Sequence, residues 1–318
     1  MTWSVPIWFD LWLAGMAGGT YSTAFLVDYF SGGRNRPLLR LATYLGIPLV
    51  VIGVLLLIID LGNPLRFWHF LTQFKLLSPM STGTWILLAW VVIAAMMVIL
   101  WRIENSFSKE TAGRLRRTTG FLSLVNLVFA VLLMIYSGVL PAVSSKVLWA
   151  GTVLLPALFV ASAVSMGLAI LIIAILTVNA TNKGGFAVLK PVINQILGST
   201  DWTIPSRTVP RIAIANAIVI IIELAALIGH ILWLTISAEA GAGEAIELFI
   251  TGTLAVPFWL GVVLLALLIP LVLCLINWGK DIETGTVERT MAISSICVVF
   301  GGLLLRAVIM VGGQIMGT

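Results

Sequence analysis

Residues 38–60 read LLRLATYLGIPLVVIGVLLLIID. No charge appears between Arg40 and Asp60. Wound as a helix rising about 1.5 Å per residue, such a run spans the hydrocarbon of a bilayer, roughly 30 Å thick. Hydrocarbon offers no partner for a backbone N–H or C=O, so the run must close its own hydrogen bonds as an α-helix. The same reading applies on both sides of it, at residues 7–30, 83–103, 120–140, 149–178, 211–236, 247–277 and 290–313. The expected fold is all-α and integral to the membrane: eight transmembrane helices in one helical bundle, a single domain over 1–318.

Composition agrees. Hydrophobic residues make up 60% of the 318 and charged residues 10%, with a mean hydropathy of +1.12. A soluble domain of this size cannot bury that much apolar surface, so lipid is the main solvent. The formal charge of +5 does not point to nucleic acid, because Lys and Arg sit in short loops between apolar runs and form no stripe. Cys274 and Cys297, the only cysteines, fall inside apolar runs with no CxxC spacing. An iron–sulfur cluster or structural zinc site built by this chain alone is excluded. No cleavable leader is expected either, since Asp10 interrupts the first run and no basic residue precedes it.

The basic residues also orient the spans. Loops after the first, third, fifth and seventh spans hold Arg34, Arg36, Arg40; Arg102, Lys109, Arg114, Arg116, Arg117; Lys183, Lys190, Arg207, Arg211; and Lys280, Arg289. The other loops hold only Arg66, Lys75 and Lys146. Positive charge collects on the cytoplasmic side, so both termini are expected to be extracytoplasmic. The longest cytoplasmic loop, about 179–210, contains a short apolar stretch at 188–197, read either as an interfacial segment or as a solvated loop.

Orientation then ranks the costly side chains by depth. Asp10, Asp60, Tyr136, His230 and Arg306, with Arg66 and His69 just after the second span, all fall toward the outer leaflet. Singly, each has a structural alternative: Asp60 pairing with Arg66, Tyr136 in an interfacial belt, Arg306 neutralising a carboxylate, His230 in the core. Together they suggest a pocket, because scattered anchors need not converge at one depth. Glu223 lies near mid-span, two turns inward of His230, where a carboxyl is either inert or part of a proton route. Asp28, at the inner end of the first span, is the far end of such a route or an interfacial cap. Gly15 and Gly19 form a GxxxG pair suited to close helix packing.

Five local patterns, in order along the sequence, resemble the NrfD/PsrC family, the membrane subunits of polysulfide-reductase-like oxidoreductases. They are Asp10 to Gly19 (DLWLAGMAGG), Asp60 to Phe70 (DLGNPLRFWHF), Ser78 to Trp85 (SPMSTGTW), Tyr136-Ser137-Gly138, and Arg306 to Gln314 (RAVIMVGGQ). The resemblance implies a multi-pass subunit of the prokaryotic cytoplasmic (inner) membrane that binds menaquinone or another quinone. It also implies a ferredoxin-like iron–sulfur subunit docked on the extracytoplasmic face and, through it, a molybdopterin-type catalytic subunit. The family's tyrosine falls on Tyr136, while its first-helix Asn and His fall on Ile7 and Asp10, so one polar position is lost and the other is a carboxylate.

Quinone reduction delivers two electrons and two protons to two carbonyl oxygens. Tyr136 is suited to donate to one of them; Asp10 or His69 is suited to exchange a proton. Asp60, Arg66 and Arg306 complete the expected quinone site, and Glu223, His230 and Asp28 the expected proton route. With no haem or iron–sulfur cluster expected in the chain, electrons must come from a partner. Two other classes compete. A proton-coupled secondary transporter would suit Glu223 and His230, but the sequence lacks paired broken helices and an internal repeat. A haem b cytochrome would have only His69 and His230 as ligands.

Overall fold

Runs of Leu, Ile, Val and Ala favour helix in lipid, and the computed structural model is nearly all helical, with no strand among the described residues. The structure describes residues 4–61, 72, 78–104, 109–142, 153–197, 208–236, 241–277 and 285–315. The long helices are α1 (Val5–Phe30), α2 (Arg36–Asp60), α3 (Pro79–Glu104), α4 (Lys109–Ala142) and α5 (Leu154–Asn182). A short helix α6 (Lys190–Leu197) follows, then α7 (Thr208–Ile236), the short α8 (Ala242–Ile250), α9 (Pro257–Ile276) and α10 (Gly285–Ile315). Seven of them, all but α1 and the two short helices, are long and apolar enough to cross a membrane. At 26 residues α1 is as long as its neighbours, but small and polar residues such as Gly18, Gly19, Thr20, Ser22 and Thr23 dilute its hydropathy. Those residues are buried, because α1 runs through the middle of the bundle rather than along its lipid face.

Successive long helices alternate in direction. Gly53 of α2 meets Asp10 of α1, Gly83 of α3 meets Tyr136 of α4, and Gly138 of α4 meets Pro156 of α5. In the second half, Ser165 bonds Asn216 across α5 and α7, and Gly301 of α10 abuts Ala266 of α9. One end of the bundle therefore gathers the start of α1, the ends of α2, α4, α7 and α10, and the starts of α3 and α5. We call this the amino-terminal end.

Backbones approach closely between α1 and α5. A Cβ on Gly19 would run into the Ala163 backbone, and one on Gly167 would run into the Gly19 backbone. Such contacts need glycine, since van der Waals packing of backbones is what holds helices together in lipid. Gly15, the other half of the GxxxG pair, instead faces Arg306, so the small residues that seat α5 are Gly19 and Gly167.

Two boundaries differ from expectation, at the runs 247–277 and 120–140. The run at 247–277 is broken: α8 ends at Ile250, a turn follows at Thr251, and α9 starts at Pro257, a favoured first-turn residue. The first twelve residues of α9 wind as a wider π-helix, and Gly301 of α10 packs against Ala266 within it. The run at 120–140 belongs to a helix that starts at Lys109 and carries Arg114, Arg116 and Arg117 on its extra turns. Within 179–210, Lys190–Leu197 is an amphipathic helix whose Ile193 and Leu197 pack against Leu41, Ala174 and Val178.

Candidate functional site

A cavity of about 320 Å³ opens at the amino-terminal end between α2 and α3, with α1 and α4 behind it. Its origin is local. Nearer the far end the two helices are closed by Trp90 packing onto Gly46, and the cavity lies on the amino-terminal side of that contact. The walls are mostly aliphatic: Val54, Leu57 and Ile58 from α2, Leu87, Leu88 and Val91 from α3, Ile7 from α1. Leu55 and Leu88 line it and are also exposed, at 51% and 39%, so the cavity communicates with the surface that lipid covers. Polar groups are few: Tyr136 from α4, Thr84 from α3 and Asp60 at the end of α2.

Tyr136 is buried, and its ring lies over Gly83, where any side chain would fill the ring's space. Asp10 stands behind α2. A Cβ on Gly53, next to the lining residue Val54, would sit 2.6 Å from its Oδ1. The Asp10 carboxyl is fully buried, and neither oxygen has a hydrogen-bond partner among the described residues. It is close enough for its charge to act on the Tyr136 phenol. An unpaired carboxylate in such surroundings costs several kcal/mol, a cost that a donor or a proton removes. The cavity is thus an apolar slot with a phenol in its lining; the orphaned Asp10 carboxyl is not a lining group and stands behind the wall.

Arg306 is placed elsewhere. Its guanidinium is fully buried beside Gly15, over the face of Phe159 at 5.1 Å. Nη1 donates to the Gly302 carbonyl at 2.9 Å and to the Ser162 hydroxyl at 3.4 Å. Glu223, buried on α7, lies close enough to Ser162 and to the Arg306 charge for both to act on its carboxyl. Gly15 is five residues along α1 from Asp10, about 7.5 Å deeper by helix rise. The Arg306 headgroup is therefore at the level of Glu223, not of the cavity. Helical side chains lean toward their own helix N-terminus, and for α10 that direction is into the bundle.

His230, also at the amino-terminal end, is buried on α7 and stacks on Trp233 at 6.3 Å; it does not line the cavity. Asp28 lies at the far end, within electrostatic reach of Arg36 and Arg116. Arg66 and His69 lie outside the described residues. Two polar groups escaped the sequence reading, Ser162 and Asn216. Asn216, Glu223 and His230 recur every seven residues, two helical turns, and all three are buried. That period was the signal available. No three of His, Cys, Asp and Glu cluster among the described residues in a way that would hold a metal ion.

Comparison with known proteins bears on this arrangement. The family model described as Polysulphide reductase, NrfD matches residues 1–189 and 184–317. The C polypeptide of polysulfide reductase from Wolinella succinogenes is 26% identical over 335 aligned residues, covering 99% of this protein and 95% of that one. Protein NrfD of Escherichia coli is 28% identical over 194 residues, 55% of this protein and 59% of its own length. The C polypeptide of selenate reductase from Mesobacillus selenatarsenatis is 27% identical over 125 residues, 39% of this protein and 28% of that one. With the family pattern running the length of a multi-span helical bundle, the chain belongs to the NrfD polysulphide reductase family.

Proposed function

We propose that this protein is the quinone-reactive anchor of a multisubunit reductase in a prokaryotic cytoplasmic membrane. The observation that carries the proposal is the apolar cavity, open toward lipid, that ends on Tyr136 with the unpaired Asp10 carboxyl behind it. A quinone is a lipid-soluble ring with two carbonyl oxygens and a long apolar tail. An aliphatic slot open to the hydrocarbon admits such a molecule, and a few polar groups at its closed side orient the ring.

Reduction of a quinone to a quinol takes up two electrons and two protons. The Tyr136 hydroxyl donates a hydrogen bond to one carbonyl oxygen, favouring the negative charge that gathers there. Asp10 exchanges a proton with that side of the ring, and Asp60, exposed at the mouth, connects it to water. The electrons come from an iron–sulfur subunit docked over the amino-terminal end, wired to a molybdopterin-type catalytic subunit. Eight crossings, counting α1, with both termini extracytoplasmic, put that face on the outer side of the membrane. Proteins named as parts of polysulfide and selenate reductases among its relatives support membership of such a complex.

The test uses the assembled complex. Tyr136→Phe or Asp10→Asn should lower quinone-linked turnover by roughly tenfold or more, the loss of about 1–2 kcal/mol of transition-state stabilisation, with the make-up of the complex unchanged. Wild-type turnover in an intact Asp10→Asn, Tyr136→Phe double variant would refute the assignment.

A further inference from the structure

A second set of costly groups lies in the other half of the bundle, apart from the cavity. A guanidinium has five N–H donors, and Arg306 engages only those on Nη1. Its Nε and Nη2 have no acceptor among the described residues, although the side chain is fully buried. Around them are small residues: a Cβ on Gly15 would come within 2.8 Å of Nη2 and 3.5 Å of Ala163. Buried donors without protein acceptors are satisfied by internal water, where polar partners and space allow it. The partners are at hand: Ser162, Glu223 and, one turn along α5, the Ser165 hydroxyl bonded to Asn216 at 3.0 Å.

Asn216, Glu223 and His230 lie on one face of α7 about 10.5 Å apart, since seven residues rise two turns. That spacing exceeds a hydrogen bond more than threefold, so a proton cannot pass directly between those side chains. Ser162 and Ser165 of α5 lie along that interval, where internal water bound to the uncommitted Arg306 donors would complete the link. In the first half of the bundle the comparable line is interrupted. Between Tyr21, which donates to the Ser123 carbonyl at 3.0 Å, and Tyr136 the helices close tightly, with Gly18 against the Ala130 carbonyl.

We propose that Glu223 is the proton-exchanging acid of a buried, water-linked file through α5, α7 and α10, with Arg306 as its fixed counter-charge. The inference rests on the quinone reading only in that quinone turnover drives it. When the site at Tyr136 turns over, the Glu223 carboxylate takes one proton from file water to become the carboxylic acid, and later returns it to water; no electron and no quinone atom passes through it. The other groups that face Glu223 are few. Ser162 comes from α5 and Arg306 from α10. α9 carries no charged residue and only Cys274 as a titratable one, and the Glu244 and Glu247 side chains of α8 are exposed.

The experiment is redox-triggered infrared difference spectroscopy on the whole complex with a soluble quinone. The wild type should show a protonated-carboxyl band that is absent in Glu223→Gln and shifted in Glu223→Asp. Ser162→Ala, which removes the link to Arg306, should move the same band. Should Glu223→Gln fail to assemble, Glu223→Asp carries the test alone. An unchanged carboxyl region in the Glu223 variants, while the wild type reduces quinone normally, would overturn the proton file and leave the quinone site standing. A wild-type complex that never exchanges electrons with quinone would instead overturn the function on which the inference rests.

Discussion

At the scale of single residues, the cavity depends on two side chains that are missing. Gly53 lets the Asp10 carboxyl lie against α2, and Gly83 lets the Tyr136 ring lie against α3. A methyl at Gly83 falls inside the Tyr136 ring, so Gly83→Ala must displace the phenol without altering any charge. Overpacking of this kind costs about 1–3 kcal/mol, which an assembled membrane complex survives. The expected result is a Gly83→Ala complex of normal composition with a raised KM for quinone and a lowered kcat. Unaltered kinetics would mean that the ring's position does not matter to turnover. Tyr136, Asp10 and Asp60 were all legible as costly groups near one end of their spans, because hydropathy places a helix at a depth. Arg306 was legible as costly, but the direction of its side chain was not, because hydropathy locates a Cα and not a guanidinium. A side chain of that length leaning toward its helix N-terminus ends about a turn from its own Cα, and the Gly302 carbonyl it reaches is four residues back.

At the scale of elements, the seam between α1 and α5 holds the two halves together, and glycine is what permits it. Gly19→Ala would drive a Cβ into the Ala163 backbone, which cannot rotate aside as a side chain can. The helices would have to separate, with loss of dispersion contacts along the seam. Reduced accumulation and a lowered unfolding temperature are expected for Gly19→Ala. Gly113→Ala and Gly120→Ala on α4 meet nothing within 4 Å and should be neutral, or stabilising by about 0.5–1 kcal/mol. Equal effects at Gly19 and Gly120 would contradict the seam. Helix α6 supports a separate expectation. It buries Ile193 and Leu197 on the bundle, while Val192 and the preceding Val188 and Leu189 are exposed. An apolar outer face beside the bundle fits the headgroup boundary, so a nitroxide at Val192→Cys, with Cys274 and Cys297 replaced, should collide more often with oxygen than with a water-soluble relaxant. The reverse ratio would place α6 in water. The apolar stretch at 188–197 was visible in the sequence, but whether it packed was not, since its partners Leu41 and Val178 are remote in sequence.

At the scale of the whole molecule, the long apolar runs gave away nearly all of the architecture, because lipid leaves the backbone no choice but helix. What they hid was the break between α8 and α9, where apolar residues continue through the turn from Thr251 and only Gly252 and Pro257 mark it. The cavity between α2 and α3 was hidden too, because its inner limit is set by Trp90 meeting Gly46 across two helices. Alternating helices and the sorting of Lys and Arg lead to one expectation for the full protein: reporters fused to either terminus should report an extracytoplasmic location. A cytoplasmic reading at either end would reverse the face on which the iron–sulfur subunit docks. The proposed function stands on the occupant of the cavity between α2 and α3. Photoaffinity labelling of the assembled complex with an azido-quinone, followed by peptide mass spectrometry, addresses that directly. A quinone seated there predicts adducts on the wall residues of α2 and α3, around Leu57 and Leu88, competed by excess quinone and diminished by Tyr136→Phe; competed adducts confined to α7 and α10, with those walls unlabelled, would contradict it.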